Sequence, residues 1–202
     1  MRSYYEDVWA GLPDDAEPWN WERRRALLLD EATAGERVLD LGCGAGRFVA
    51  ALQAAGADAI GVDLAEGAIE RARRNVPGAD FGTTTETIPD SSVDLVWCSE
   101  VIEHVPDTAA LLSEARRVLK TGGRILVTTP AHDLARRVAI ALLRWEPHFD
   151  PLGQHVRFYS RRSLARVFHT FAFEDVEVQP SRGMLVGRAR KARLTAPPAA
   201  PR

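Results

Sequence analysis

Two carboxylates and an imidazole fall within five residues in Glu100-Val101-Ile102-Glu103-His104. In a helical turn Glu100 and Glu103 share one face, with His104 beside them. An imidazole titrates near neutrality and can take a proton from a hydroxyl, so His104 is a candidate general base and Glu100 its catalytic neighbour. Glu100, Glu103 and His104 also form a donor set for Mg²⁺, Mn²⁺ or Zn²⁺, with His155 as a fourth ligand from a later loop. The competing reading is that both glutamates face solvent or cap a helix. A second group is Asp40-Leu41-Gly42-Cys43-Gly44-Ala45-Gly46-Arg47. Its glycines let backbone amides approach a ligand at a helix N-terminus. A dinucleotide loop would need glycine at position 47, where Arg47 obstructs a pyrophosphate. Asp40 is a poor neighbour for a phosphate but suits a cationic or zwitterionic ligand. Asp63, ending the next apolar run, can accept both hydroxyls of a ribose.

What positions these groups is an alternation of apolar runs of strand length with helical patterns. Strands are expected at 37–41, 59–63, 93–98 and 124–128, and helices around 48–52, 68–75 and 108–119, the last stopped by Thr121-Gly122-Gly123. Continuous apolar strands between helices imply a parallel sheet covered on both faces, with ligands at the carboxyl ends of its strands. After Pro130 the rhythm changes. Helices at 133–145 and 163–171 flank an irregular loop, and only one is needed to return to the sheet, so the first is an insertion. Runs at 173–178 and 184–187 form a terminal antiparallel hairpin around Pro180-Ser181-Arg182-Gly183. The first twenty residues are rich in Trp, Tyr, Pro and acids without a clean period, and a helix begins near Trp21. The chain therefore reads as one domain over 1–194, with an N-terminal lid or helix at 1–35, an acceptor-side insertion at 131–160 and a disordered Pro/Ala tail at 195–202.

The stretch 38–47, Gly61-Val62-Asp63-Leu64, Phe81 with Ile88-Pro89, Val93-Asp94-Leu95-Val96 and Leu119-Lys120-Thr121-Gly122-Gly123 resemble the class I S-adenosylmethionine-dependent methyltransferases, over residues 37–130. The resemblance implies an α/β, Rossmann-like fold, with a seven-stranded, mostly parallel sheet, an antiparallel terminal strand and helices on both faces. It implies S-adenosyl-L-methionine as cofactor. Asp40, Gly42, Gly44 and Gly46 would hold its methionine part, Asp63 its ribose and Leu64 its adenine, with Ser99 alongside. Near the adenine amino group the family carries an Asp-Ala pair. Here Thr84-Thr85 stand in that place, followed by Glu86. Glu-x-x-Glu-His with His155 resembles metal-dependent enzymes that methylate the 3′-terminal 2′-hydroxyl of small RNAs. The same segment resembles small-molecule methyltransferases of the ubiquinone-biosynthesis type, in which a bound metal is not general. The expected function is O-methylation of a small molecule such as a sugar, quinone or secondary-metabolite scaffold. The alternatives are a metal-dependent RNA 2′-O-methyltransferase and a non-catalytic cofactor-binding partner subunit.

Composition sets the remaining bounds. The chain has 202 residues, 46% of them hydrophobic and 27% charged, and a net charge of −2 that argues against a histone-like basic protein. With two cysteines, no apolar leader and no membrane-spanning run, a cytoplasmic protein is expected. The average hides a split: 13 basic against 23 acidic side chains up to Ala135, and 13 against 5 from Arg136 onward. The basic excess lies beside the insertion, where Arg157, Arg161 and Arg162 leave an anionic acceptor, or RNA, open as a partner. Leu134, Val138, Leu142 and Trp145 form a stripe with Arg136, Arg137 and Arg144 around it. It reads as a cap over the acceptor, an interfacial helix on an anionic membrane, or a helix packed on the sheet. The loop from Trp145 to Pro151 reads as an acceptor-site loop or a proline-pinned surface loop. Tyr4, Tyr5, Trp9, Trp19 and Trp21 form either a lid or a staple for the N-terminus. Cys43 and Cys98 are expected to be buried fillers, and His132 and His169 structural.

Overall fold

The computed structural model describes residues 2–13, 16–132, 134–145, 149 and 155–193. The chain runs α1 (Arg2–Gly11), α2 (Trp21–Glu31), β1 (Arg37–Leu41), α3 (Arg47–Ala54), β2 (Asp58–Val62), α4 (Glu66–Asn75), β3 (Asp80–Gly82) and β4 (Val93–Ser99). It continues through α5 (Thr108–Val118), β5 (Leu119–Pro130), α6 (Leu134–Leu143), α7 (Arg161–Thr170), β6 (Phe173–Ser181) and β7 (Met184–Lys191). The seven strands lie in the order β3-β2-β1-β4-β5-β7-β6. The first five are parallel, and β7 runs antiparallel to both β5 and β6. The expected α/β fold with its terminal hairpin is therefore present.

Alternating residues of the inner strands feed opposite faces. Leu39, Val96 and Cys98 join one apolar cluster, and Val38, Leu95 and Trp97 join the other. Burial on both faces explains why these strands are apolar throughout rather than at every second position. Strand order reverses between β1 and β4, which pair directly. That switch point brings the loop after β1 against the turn after β4, and so joins the two groups singled out from sequence.

Three elements sharpen or correct the expectation. Within the expected N-terminal lid or helix, the stretch without a clean period before Trp21 contains a ten-residue helix, α1. The helix expected to stop at Gly122-Gly123 already ends at Val118, with Leu119 extended, and β5 begins at once. Gly122, at φ 76°, instead sits in an irregularity of β5, where pairing jumps from Val93↔Leu119 to Leu95↔Arg124. A Cβ on Gly123 would lie 2.9 Å from the Lys120 carbonyl, so the glycine serves close backbone approach. In α6, Ile140 is buried but Leu134, Val138 and Leu142 are exposed, Leu142 by 76%. That stripe does not pack on the sheet. Cys43 and Cys98 are buried, and burial raises both thiol pKa values, in keeping with fillers rather than nucleophiles. No helix among the described residues is long and apolar enough to cross a membrane. The tail 195–202 and most of the loop from Trp145 to Pro151 lie outside the described residues.

Candidate active site

The glycine loop takes a shape that its residues dictate. Gly42 (φ 87°) and Gly44 (φ 51°) have left-handed backbones, and a Cβ on Gly42 would collide with the Val101 side chain. Gly42 and Cys43 donate from their amides to the Val62 carbonyl at 2.7 and 3.0 Å. Asp63 then ties the two strand ends together, accepting from Gly44 N through Oδ2 and from Ala65 N through Oδ1, each at 3.0 Å. Burial raises the Asp63 pKa, and these amide bonds oppose the rise. Gly46 starts α3, and a Cβ there would meet the Phe81 ring at 2.9 Å, so it answers to packing. Beneath the loop, Asp40 is 1% exposed, and its carboxyl is pushed up to about 8 by burial against the opposing charge of Arg24. Asp40 Oδ2 has no hydrogen-bond partner among the described residues.

The segment after β4 reverses at Glu100, a non-glycine residue at φ 56°, and closes a turn in which His104 N donates to Val101 O at 2.9 Å. This is a turn rather than a helix, and it keeps the two glutamate carboxyls side by side, with a side-chain hydrogen bond between them. Glu100 Oε1 accepts from the Thr128 hydroxyl at 2.9 Å, while Glu103 Oε2 accepts from Thr129 at 3.0 Å. Burial raises both carboxyls above their ordinary range. The charge of Glu100 pushes Glu103 higher still, while Arg24 opposes the rise at Glu100. His104 Nε2 lies 3.8 Å from Glu103 Oε1. The Glu103 carbonyl accepts from Val156 N and Arg157 N, which docks the insertion and brings His155 to His104 with ring centroids 4.8 Å apart. One ligand atom each from Glu103, His104 and His155 lie within 4.8 Å of one another. Glu100, the fourth residue expected in that set, is outside this grouping.

Two connected cavities carry these groups. One, of about 600 Å³, is lined by Gly42, Gly44, Ser99, Glu100, Glu103, His104, Arg136 and His155. The other, of about 510 Å³, is lined by Asp63, Leu64, Thr83, Thr84, Thr85, Val101 and Glu114. Glu86 lines neither, and its amide donates to Thr84 Oγ1 at 3.2 Å. Ser99 reaches the first cavity with its hydroxyl engaged by Arg24 Nε at 2.7 Å and Thr128 at 2.6 Å.

Helix α1 roofs both cavities. Trp9 lies over Gly44, where an added Cβ would come within 2.8 Å of its ring. Glu6 accepts from the first amides of α4, Glu66 N at 2.7 Å and Gly67 N at 3.0 Å, and Tyr5 donates to the His104 carbonyl. Trp21 instead packs on Phe48 in the core. The N-terminal aromatics thus divide between a lid and a staple. Sequence reasoning missed Arg24, 5% exposed, which donates to Ser99 and to the Trp19 carbonyl and stacks on Phe48. Its only sequence signal is a charge on the helix face that also carries Leu27 and Leu28. Glu6, Glu114, Thr128 and Thr129 were missed as well, since their roles depend on distant partners.

Relatives share this frame. A family model described as a methyltransferase domain matches residues 16–178. The ubiquinone biosynthesis O-methyltransferase of Idiomarina loihiensis is 34% identical over 157 residues, covering 71% of this chain and 64% of that protein. The enzyme of the same name from Methylococcus capsulatus is 34% identical over 142 residues, covering 66% of this chain and 60% of that one. The chain therefore spans less than two thirds of the length of these curated relatives. A solved S-adenosylmethionine-dependent methyltransferase from Mesorhizobium loti aligns with a TM-score of 0.63 at 22% identity, over 84% of this chain and 96% of that one, a likeness of fold. Because the family match takes in the glycine loop, Asp63 and the Glu100–His104 turn together, the chain belongs to the methyltransferase domain family.

Proposed function

We propose that this protein binds S-adenosyl-L-methionine across the two cavities and transfers its methyl group to a hydroxyl of a small molecule. The observation that carries the reading is Asp40, a buried carboxyl whose Oδ2 lacks a partner among the described residues, beneath the Gly42–Gly44 cradle. A zwitterion with an ammonium group and a sulfonium fits such a site, and a phosphate does not. Asp40, Gly42 and Gly44 would hold the methionine part, and Asp63 and Leu64 the nucleoside. The cofactor supplies an electrophilic methyl group on sulfur. The protein's own share is to hold the acceptor against that methyl, exclude water and take up the hydroxyl proton. His104 would take that proton, while Glu100, fixed by Thr128, would orient the hydroxyl. The names of the two curated relatives support an oxygen acceptor, and Arg136 in the cavity wall favours one carrying negative charge.

One observation favours a second reading. The Glu103–His104–His155 grouping suits a divalent cation, which would polarise an acceptor hydroxyl when bound. With the arginine-rich C-terminal third, this is the arrangement that a 2′-O-methyltransferase of RNA would use. Labelled methyl transfer into a small-metabolite extract and into total RNA, with and without a chelator, separates the readings. Chelator-insensitive labelling of small molecules supports the first, and chelator-sensitive labelling of RNA the second. Cofactor binding without transfer to either pool would indicate a non-catalytic subunit.

A further inference from the structure

Thr85 lines the cavity assigned to the nucleoside, together with Asp63, Leu64 and Glu114. A threonine hydroxyl can donate or accept, so alone it does not tell an amino group from a carbonyl on a base. Here the choice is made for it. Thr85 Oγ1 lies 2.8 Å from Glu114 Oε2, and a carboxylate can only accept. Arg117 keeps Glu114 in that form. Its Nε donates to both carboxylate oxygens at 3.3 and 3.1 Å, Nη2 adds a bond at 3.0 Å, and the Glu114 pKa is lowered, first by Arg117. Arg117 also donates to the carbonyls of Thr85 at 2.8 Å and Ile88 at 2.9 Å, so backbone and side chain of this loop are held from one guanidinium. The Thr85 proton is committed to Glu114, and the oxygen lone pairs remain for a neighbour.

We propose that Glu114 is a positioning residue that makes Thr85 a hydrogen-bond acceptor, so that the cavity selects a nucleobase presenting an exocyclic amino group over one presenting a 6-oxo group. The inference rests on the reading that this cavity holds the nucleoside of the cofactor.

The test is calorimetric binding of S-adenosylhomocysteine and its 6-oxo counterpart, S-inosylhomocysteine, to the full chain, with the ratio of the two affinities as the readout. The wild type should prefer the adenosyl ligand by about tenfold, the scale of one hydrogen bond gained or left unpaired. In Glu114→Gln the side-chain amide can donate to Thr85, which frees the hydroxyl to donate, so the preference should collapse or reverse. Thr85→Val should lose it and Thr85→Ser keep it. General loosening of the loop would weaken both ligands alike and leave the ratio in place. An unchanged ratio in Glu114→Gln and Thr85→Val overturns the inference, as does a preference lost in Thr83→Val but kept in Thr85→Val. A wild type that binds neither ligand overturns the cofactor reading itself, and the inference with it.

Discussion

Replacing Arg24 by methionine should destabilise the protein in a pH-dependent way. The guanidinium is 5% exposed, donates to Ser99 Oγ, Ser99 O and Trp19 O at 2.7, 3.0 and 3.1 Å, and is the cation opposing the rise of Asp40 and Glu100. Methionine keeps much of the volume against Phe48 but removes the cation that opposes the rise of buried Asp40. Arg24 acts on Asp40 through space rather than by a direct contact, so the pH-independent cost is that of its lost hydrogen bonds, about 1–2 kcal/mol. The Asp40 carboxyl sits at about 8 when folded against 3.8 in an open chain, so between those values the folded protein binds more protons than the unfolded one. Stability therefore falls as pH rises through that window. Losing Arg24 raises the folded value further and carries the fall on to higher pH. Denaturant unfolding at several pH values should show a loss of about 1–2 kcal/mol near pH 5, where folded Asp40 is protonated with or without Arg24, and a loss that grows above pH 8, where Asp40 ionises in the wild type. Near pH 5 that corresponds to a Tm lower by about 2–8 °C for a chain of this size. Adding Asp40→Asn to the variant should recover at least about 1 kcal/mol near pH 8. A loss equal near pH 5 and well above pH 8, with no recovery from the second substitution, would refute the electrostatic account.

Other perturbations address the site directly. Asp63→Ala removes the carboxylate that joins Gly44 N to Ala65 N and should weaken S-adenosylhomocysteine binding by about 1–3 kcal/mol. Affinity within about twofold of wild type by calorimetry would contradict that role. His104→Ala should lower kcat by about 10²–10⁴-fold while leaving cofactor affinity near wild type. A comparable loss in both quantities would assign it to binding instead. Gly42→Ala places a side chain against Val101 at φ 87° and should cost about 1–3 kcal/mol by denaturant unfolding, with cofactor affinity falling as well.

The glycine loop, Asp63 and the Glu100–His104 segment were legible because each is local. Backbone at φ 87° calls for glycine, and a strand buried on both faces needs continuous apolar residues, whatever lies elsewhere in the chain. The lid was not legible. Glu6 meets α4 some sixty residues away and Tyr5 meets His104 across ninety-nine, so α1 carries no period of its own. Gly122 and Gly123 misled for a related reason. Glycine marks a left-handed or crowded backbone equally at a helix end and in a strand irregularity, and only pairing with β4 tells the two apart.

By itself the sequence determined the fold class and the residue types at the cleft, because periodicity and glycine stereochemistry act over a few neighbouring positions. The tertiary structure alone decided how the charges are used. It set Arg24 against Asp40 and Glu100, bonded Glu100 to Thr128 beside the Glu103–His104–His155 grouping, and committed Thr85 to Glu114. Burial and hydrogen-bond direction depend on which distant elements meet, and those are the quantities that turn a list of polar residues into a site.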